Sequence, residues 1–239
     1  MKNNIGVMQG RLLPKYQGRY QAHPVGYWQD EFKIAQQIGL DCIEAILDYN
    51  DAEQNPLLNR VGINEINALA KKTGVRVFTV CADYLMHAPL HSEDPLVANR
   101  SQAVMKRLIH NASKLGVTDV VIPCVDQSSL NLSKAQDQFV DRIKPLVKTA
   151  EKTQINLSSE TDLAPLPFVK LLERIGSKRV TVNYDIGNSA ALGYDPEEEL
   201  SLYGECITDI HIKDRLLGGG PVMLGSGCAN FDVFFNKLK

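Results

Sequence analysis

Two kinds of segment alternate along this chain. Short apolar runs rich in β-branched residues, at 5–8, 42–47, 75–81, 119–123, 155–159, 180–184 and 207–212, read as buried strands. Between and after them, apolar residues recur near every 3.6 positions at 28–38, 64–72, 95–115, 139–152, 167–175, 196–203 and 231–238, which predicts helices. Gly39, Gly74, Gly116 and Gly176 follow four of these segments as stop signals. Glu197, Glu198 and Glu199 suit the positive end of a helix dipole. Strand and helix alternate without a linker or a repeat, which predicts a parallel α/β fold in a single domain, 1–239. Seven βα units fall one short of a TIM (β/α)8 barrel of about 250 residues. A doubly wound sheet is the alternative, but neither GxGxxG after a strand nor GxxxxGK[ST] is present. The expected fold is therefore a TIM-type barrel that lacks its eighth strand in this sequence. Such a barrel is open, or its last strand lies outside these residues or is supplied some other way.

Composition narrows the partners. At 239 residues and 44% hydrophobic, the chain has ample material for a core, which removes disorder, collagen and coiled coil. The net charge of -2 gives no pull towards nucleic acid or an anionic membrane. No run approaches the roughly 20 apolar residues of a membrane helix. The first residues lack a signal-peptide pattern, so the expected compartment is the cytoplasm. Five cysteines without a CxxC pair read as reduced thiols that pack as small hydrophobes.

In a βα barrel the chemistry sits where strands end. The strand ends here offer Gln9 and Arg11, then Glu44, then Asp83 and His87, Asp126, Glu160, Asp185 and His211, the last followed by Lys213, Asp214 and Arg215. Glu160, Asp185 and His211 come from three consecutive strands, each one βα step apart. Two carboxylates and an imidazole form a mixed O/N set suited to Mn²⁺, Co²⁺, Fe²⁺ or Zn²⁺, and less well to Mg²⁺. Each residue also has a plainer reading. Glu160 reads as a loop acid or helix cap, Asp185 as an Asx-turn before Asn188, and His211 as a core histidine. Glu44, inside a strand, needs a partner: substrate or a cation such as Arg11. Arg11 and Arg215 read as grips for a hydroxyl or phosphate, or as surface ion pairs. His23, His91 and His110 read as structural or exposed, and the glycine run at 217–220 as a mobile loop that could meet a phosphate.

The ordered set 5–12, Asp41-Cys42-Ile43-Glu44, Glu160, Tyr184-Asp185-Ile186-Gly187-Asn188, His211-Ile212-Lys213-Asp214-Arg215, Leu224-Gly225-Ser226-Gly227 and Phe231-Asp232 resembles the xylose-isomerase-like TIM-barrel superfamily. Within it, the likeness is to the sugar (phosphate) isomerase/epimerase branch of the tagatose 3-epimerase and L-xylulose-5-phosphate 3-epimerase type, over nearly the whole chain. The resemblance implies a divalent metal, Mn²⁺ first, with Co²⁺, Zn²⁺ or Mg²⁺ as alternatives. Its ligands would be Glu160, Asp185, His211 and a second Glu on an eighth strand. It also implies that Glu160 is a general acid/base, and that Gln9, Arg11, Glu44, Asn188 and Arg215 contact the substrate. Some members carry a histidine where Asn188 stands, and Gly-Glu-Gly where Gly225-Ser226-Gly227 stands.

The implied activity is epimerisation or isomerisation of a ketose or ketose phosphate through an enediolate. The expected partner is a small sugar or sugar phosphate, with no nucleic acid or membrane and with a homo-oligomer left open. Three other readings remain: a metal-dependent polyol dehydratase, a nuclease like apurinic endonuclease IV, and a non-catalytic barrel. The nuclease class needs several metal-binding histidines, and the five here lie mostly away from strand ends.

Overall fold

A computed structural model describes residues 3–237. Strands β1 (Gly6–Met8), β2 (Cys42–Ile46), β3 (Thr79–Cys81), β4 (Asp119–Cys124), β5 (Asn156–Thr161), β6 (Val180–Asp185) and β7 (Ile207–His211) form one sheet in chain order. Every adjacent pair is parallel. Helices α1 (Asp30–Gln37), α2 (Arg60–Thr73), α3 (Tyr84–His87), α4 (Pro95–Ala112), α5 (Ser133–Thr153), α6 (Pro165–Ile175), α7 (Ile186–Leu192) and α8 (Pro196–Tyr203) fill the connections. A two-stranded antiparallel hairpin, β8 (Asp214–Arg215) with β9 (Pro221–Val222), follows β7, and α9 (Phe231–Lys237) comes last. Leu238, the last residue of the final expected helix, lies outside the described residues.

The sheet is curled. The Thr208 hydroxyl on β7 donates to Asp119 Oδ1 on β4 at 2.6 Å, and Ser158 on β5 donates to the same oxygen at 2.8 Å. Such contacts across three strands need a concave inner face. Among the described residues no eighth barrel strand closes it, and the fold is the expected TIM-type barrel with seven strands. No helix among them is long and apolar enough to cross a membrane.

Period-two alternation divides the strand residues between two cores. Ile43, Ala45, Val80, Val120 and Ile122 join the large cluster between sheet and helices. Ile46, Cys81 and Val121, with Met8 against them, form a separate small cluster from alternate positions. Helix starts follow local chemistry: Asp94 and Asp195 each cap a helix by accepting a backbone N–H, and Pro95 and Pro196 occupy the first helical position. Gly10 is required in the β1–α1 loop. Its φ is +88° and a Cβ there would meet the Tyr20 carbonyl oxygen at 2.3 Å.

Several elements differ from the sequence reading. β3 begins only at Thr79. Val75 and Val77 are buried in the large core, and Arg76 makes a single bridge to Cys42 before the ladder lapses. The α3 and α7 turns were not expected. The glycine run at 217–220 lies in the turn of the β8–β9 hairpin, where Arg215 holds the Gly219 carbonyl. Cys81 and Cys124 pack in the core as expected, but Cys206 and Cys228 lie exposed because they stand in connections, not strands.

Candidate active site

β5, β6 and β7 deliver Glu160, Asp185 and His211 to one place. One ligand atom from each lies within 4.8 Å of the others. Asp185 and His211 are register partners at the ends of β6 and β7, just beyond a register shift at Val182/Asn183. A bulge of this kind re-aims side chains near functional sites. His211 Nδ1 stands 3.7 Å from Glu160 Oε2 and 3.9 Å from Asp185 Oδ2.

The carboxylates are held from several sides. Asn188 Nδ2 donates to Glu160 Oε1 at 2.6 Å, and Asn183 Nδ2 donates to Oε2 at 3.0 Å. Asp185 uses Oδ1 to cap α7 by accepting the Asn188 N–H at 2.8 Å, so the Asx-turn reading describes one of its oxygens. Its Oδ2 accepts from Lys213 Nζ at 3.0 Å. Asn188 Oδ1 accepts from Lys213 Nζ at 2.9 Å and from Arg215 Nη1 at 2.8 Å. Gly187 makes this approach possible, because a Cβ there would lie 2.9 Å from the Lys213 backbone carbonyl carbon. Glu160, Asn183, Asp185 and Asn188 line a cavity of about 20 Å³, the room of one water.

Of the other expected residues, Glu44 and Arg215 border this cluster, and Gln9 and Arg11 make their contacts apart from it. Glu44 does not pair with Arg11. Its Oε2 is 3.1 Å from His211 Nε2 and accepts the Thr79 hydroxyl at 2.9 Å. Arg11 is exposed and donates to Gln21 at 3.2 Å. Gln9 is buried, and its Oε1 accepts the Ile46 N–H at 2.9 Å. Arg215 directs its remaining donors to the Gly219 carbonyl. His23 is buried beside Trp28 and pushed down to about 4 by burial.

The cluster is short of positive charge. Glu44, Glu160, Asp185 and Asp209 surround one imidazole and one ammonium. Burial, and then the Asp185 and Glu44 charges, push Glu160 up to about 7 although His211 and Lys213 oppose the shift. Burial and Glu44 push Asp209 to about 7 as well. Burial disfavours charge on His211, but Glu44, Glu160 and Asp209 override it and push the ring up to about 10. Glu44 Oε1, Asn183 Oδ1 and Asp209 Oδ2 are buried without a hydrogen-bond partner. A divalent cation fits this donor set: two carboxylates and an imidazole converge, and its charge relieves the excess of acids.

The family model described as "Xylose isomerase-like TIM barrel" matches residues 32–239. The chain belongs to that family. It is similar to the putative L-ribulose-5-phosphate 3-epimerase SgbU of Haemophilus influenzae, 27% identical over 261 residues, covering 100% of this chain and 85% of that protein. It is also similar to the L-ribulose-5-phosphate 3-epimerase UlaE of Shigella flexneri, 28% identical over 227 residues, covering 89% of this chain and 78% of that protein. Among solved structures, the IOLI protein with a bound zinc atom aligns with a TM-score of 0.75 and 16% identity, covering 99% of this chain and 84% of that one.

In this family member, sequence reading passed over Asn183 and Asp209. A signal was present: β6 is polar at Thr181, Asn183 and Asp185, and β7 at Asp209 and His211, each at period two. A polar face on a buried strand points to a lumen that does chemistry.

Proposed function

We propose that this chain is a divalent-metal-dependent 3-epimerase of a ketose phosphate, with Glu160, Asp185 and His211 as metal ligands and Glu160 as the proton-transfer group. One observation carries the reading: three consecutive strands converge these side chains on one point at their ends. The names of SgbU and UlaE support the substrate class, and the donor set favours Mn²⁺, Co²⁺, Fe²⁺ or Zn²⁺ over Mg²⁺.

A positioned carboxylate base contributes about 10²–10⁴-fold to a proton transfer. Glu160 takes the proton from the carbon beside the ketose carbonyl. The C–H pair becomes the new C=C bond, and charge passes to the carbonyl oxygen as an enediolate. Inversion needs a proton delivered to that carbon from the opposite face by a second acid, the role the resemblance gives to a Glu on an eighth strand, and none of the described residues gathered here supplies it. A bound divalent metal supplies Lewis-acid stabilisation of that oxygen charge. Asn183 and Asn188 hold the two Glu160 oxygens, which fixes the direction of the transfer. Lys213 and Arg215 place positive charge beside Asn188, where a substrate hydroxyl or phosphate is attracted.

The test is to load the protein with Mn²⁺, dialyse, count metal, and follow L-ribulose 5-phosphate and other pentulose phosphates by NMR in D₂O. About one metal per chain, with deuterium entering C3 as the epimer forms, is the expected result. Metal uptake without C3 exchange on any ketose or ketose phosphate would refute the activity, and no metal uptake would refute the site.

A further inference from the structure

The His211 ring is held along both edges, and the two edges are unlike. Nε2 faces Glu44 Oε2 at 3.1 Å, the only atom placed at hydrogen-bond distance from it among the described residues. Nδ1 faces Glu160 and Asp185, with Asn183 Nδ2 at 3.1 Å. The Asn183 amide is turned by its bond to Glu160 Oε2, since the reverse orientation would set its own oxygen against that carboxylate. Glu44 is buried on β2, and Thr79 on β3 donates to the same Oε2, which holds that oxygen in position.

These contacts bear on where the ring hydrogen belongs. Glu44 Oε2 already accepts the Thr79 hydroxyl, and as the acceptor for the ring it pairs with a hydrogen on Nε2. A neutral ring then has its lone pair on Nδ1, the edge turned to the Glu160–Asp185 pair. We propose that Glu44 is the positioning residue for His211: by accepting Nε2–H it fixes the tautomer and rotation that present Nδ1 to a metal. Glu44 thus acts through the histidine, and Thr79 acts through Glu44. Carboxylates placed behind a ligating histidine raise its basicity, and their loss weakens metal binding by about 10–100-fold. The proposal rests on the metal reading above for its consequence, and its geometry stands without it.

The experiment uses long-range ¹H–¹⁵N correlation on the full chain, first metal-free and then with Zn²⁺, with His211 assigned by His211→Gln. The metal-free protein should show a protected, downfield Nε2–H for His211 that moves upfield or vanishes in Glu44→Gln. With Zn²⁺ the ring should keep Nε2–H and bind through Nδ1. Zinc affinity should fall about 10–100-fold in Glu44→Gln and by less in Thr79→Val. A His211 that carries hydrogen only on Nδ1, a Zn²⁺-bound Nε2, or an Nε2–H unchanged in Glu44→Gln would each overturn the proposal. Absence of zinc binding in the parent protein, with the metal-free Nε2–H result intact, would overturn the metal site and leave the Glu44–His211 relation standing.

Discussion

The two sides of the barrel lumen are built from the same alternation and filled with opposite chemistry. On β1 to β4, the inward positions towards the strand ends are Met8, Ile46, Cys81 and Val121, which pack as a small apolar cluster. On β5 to β7 the corresponding region holds Glu160, Asn183, Asp185, Asp209 and His211. The apolar side is a plug that excludes water by packing. The charged side is under-neutralised and leaves buried oxygens without partners. The contrast teaches that stability and chemistry divide one lumen, with Glu44 on β2 and Thr79 on β3 reaching from the apolar strands to the charged side. The low-dielectric plug beside the acids raises their pKa values and strengthens their hold on a cation.

Substitutions on the two sides should separate cleanly. His211→Ala removes one proposed metal ligand and should abolish stoichiometric Mn²⁺ binding and lower epimerase turnover by about 10³-fold or more, while circular dichroism stays unchanged. A variant that keeps one tightly held Mn²⁺ per chain would break the assignment of the charged side. Glu160→Gln should lower kcat by about 10²–10⁴-fold. Because Gln still offers an oxygen, the loss in metal affinity should be smaller than in His211→Ala, and equal losses would make Glu160 a ligand without a proton-transfer role. On the apolar side, Ile46→Ala leaves a cavity and should cost about 2–5 kcal/mol. That corresponds to a melting temperature lower by about 5–20 °C, with Mn²⁺ stoichiometry unchanged. Loss of metal in this variant would show that the two sides are one unit.

The apolar side and the strand order were readable because buried parallel strands leave continuous apolar runs. β3 was overread: Val75 and Val77 have strand chemistry and core burial, but their backbone leaves the ladder. α7 was missed because Asp185 ends β6 and caps the helix in the same residue, so no linker marks the boundary. On the charged side, Glu160, Asp185 and His211 were readable as strand ends. The partners that set their chemistry were not. Lys213 reaches Asp185 only because α7 crosses it at Gly187, and Glu44 meets His211 only because the sheet curls β2 towards β7. Both depend on tertiary geometry with no local signature.

The smallest expected effect is also the most direct measure of the charge imbalance. In the metal-free protein Asp209 is pushed from 3.8 to about 7, chiefly by burial and then by Glu44. Between those values the folded chain holds a proton that the unfolded chain releases, so this group's contribution is present below pH 4 and is lost as pH rises towards 7. Asp209→Asn keeps the shape and cannot ionise. Relative to the parent, it should gain stability as pH rises from 5 to 7, by about 1–2 kcal/mol after allowance for the half-buried position. His23, pushed down to about 4, acts with the opposite sign: its contribution is present above pH 6.5 and is lost as pH falls. It is common to both proteins and cancels in the difference. Denaturant titrations of the two metal-free proteins at pH 5, 6 and 7 read that difference directly. A constant difference would mean that Asp209 is ionised throughout and already neutralised, and the charged side of the lumen would then need no cation to balance it.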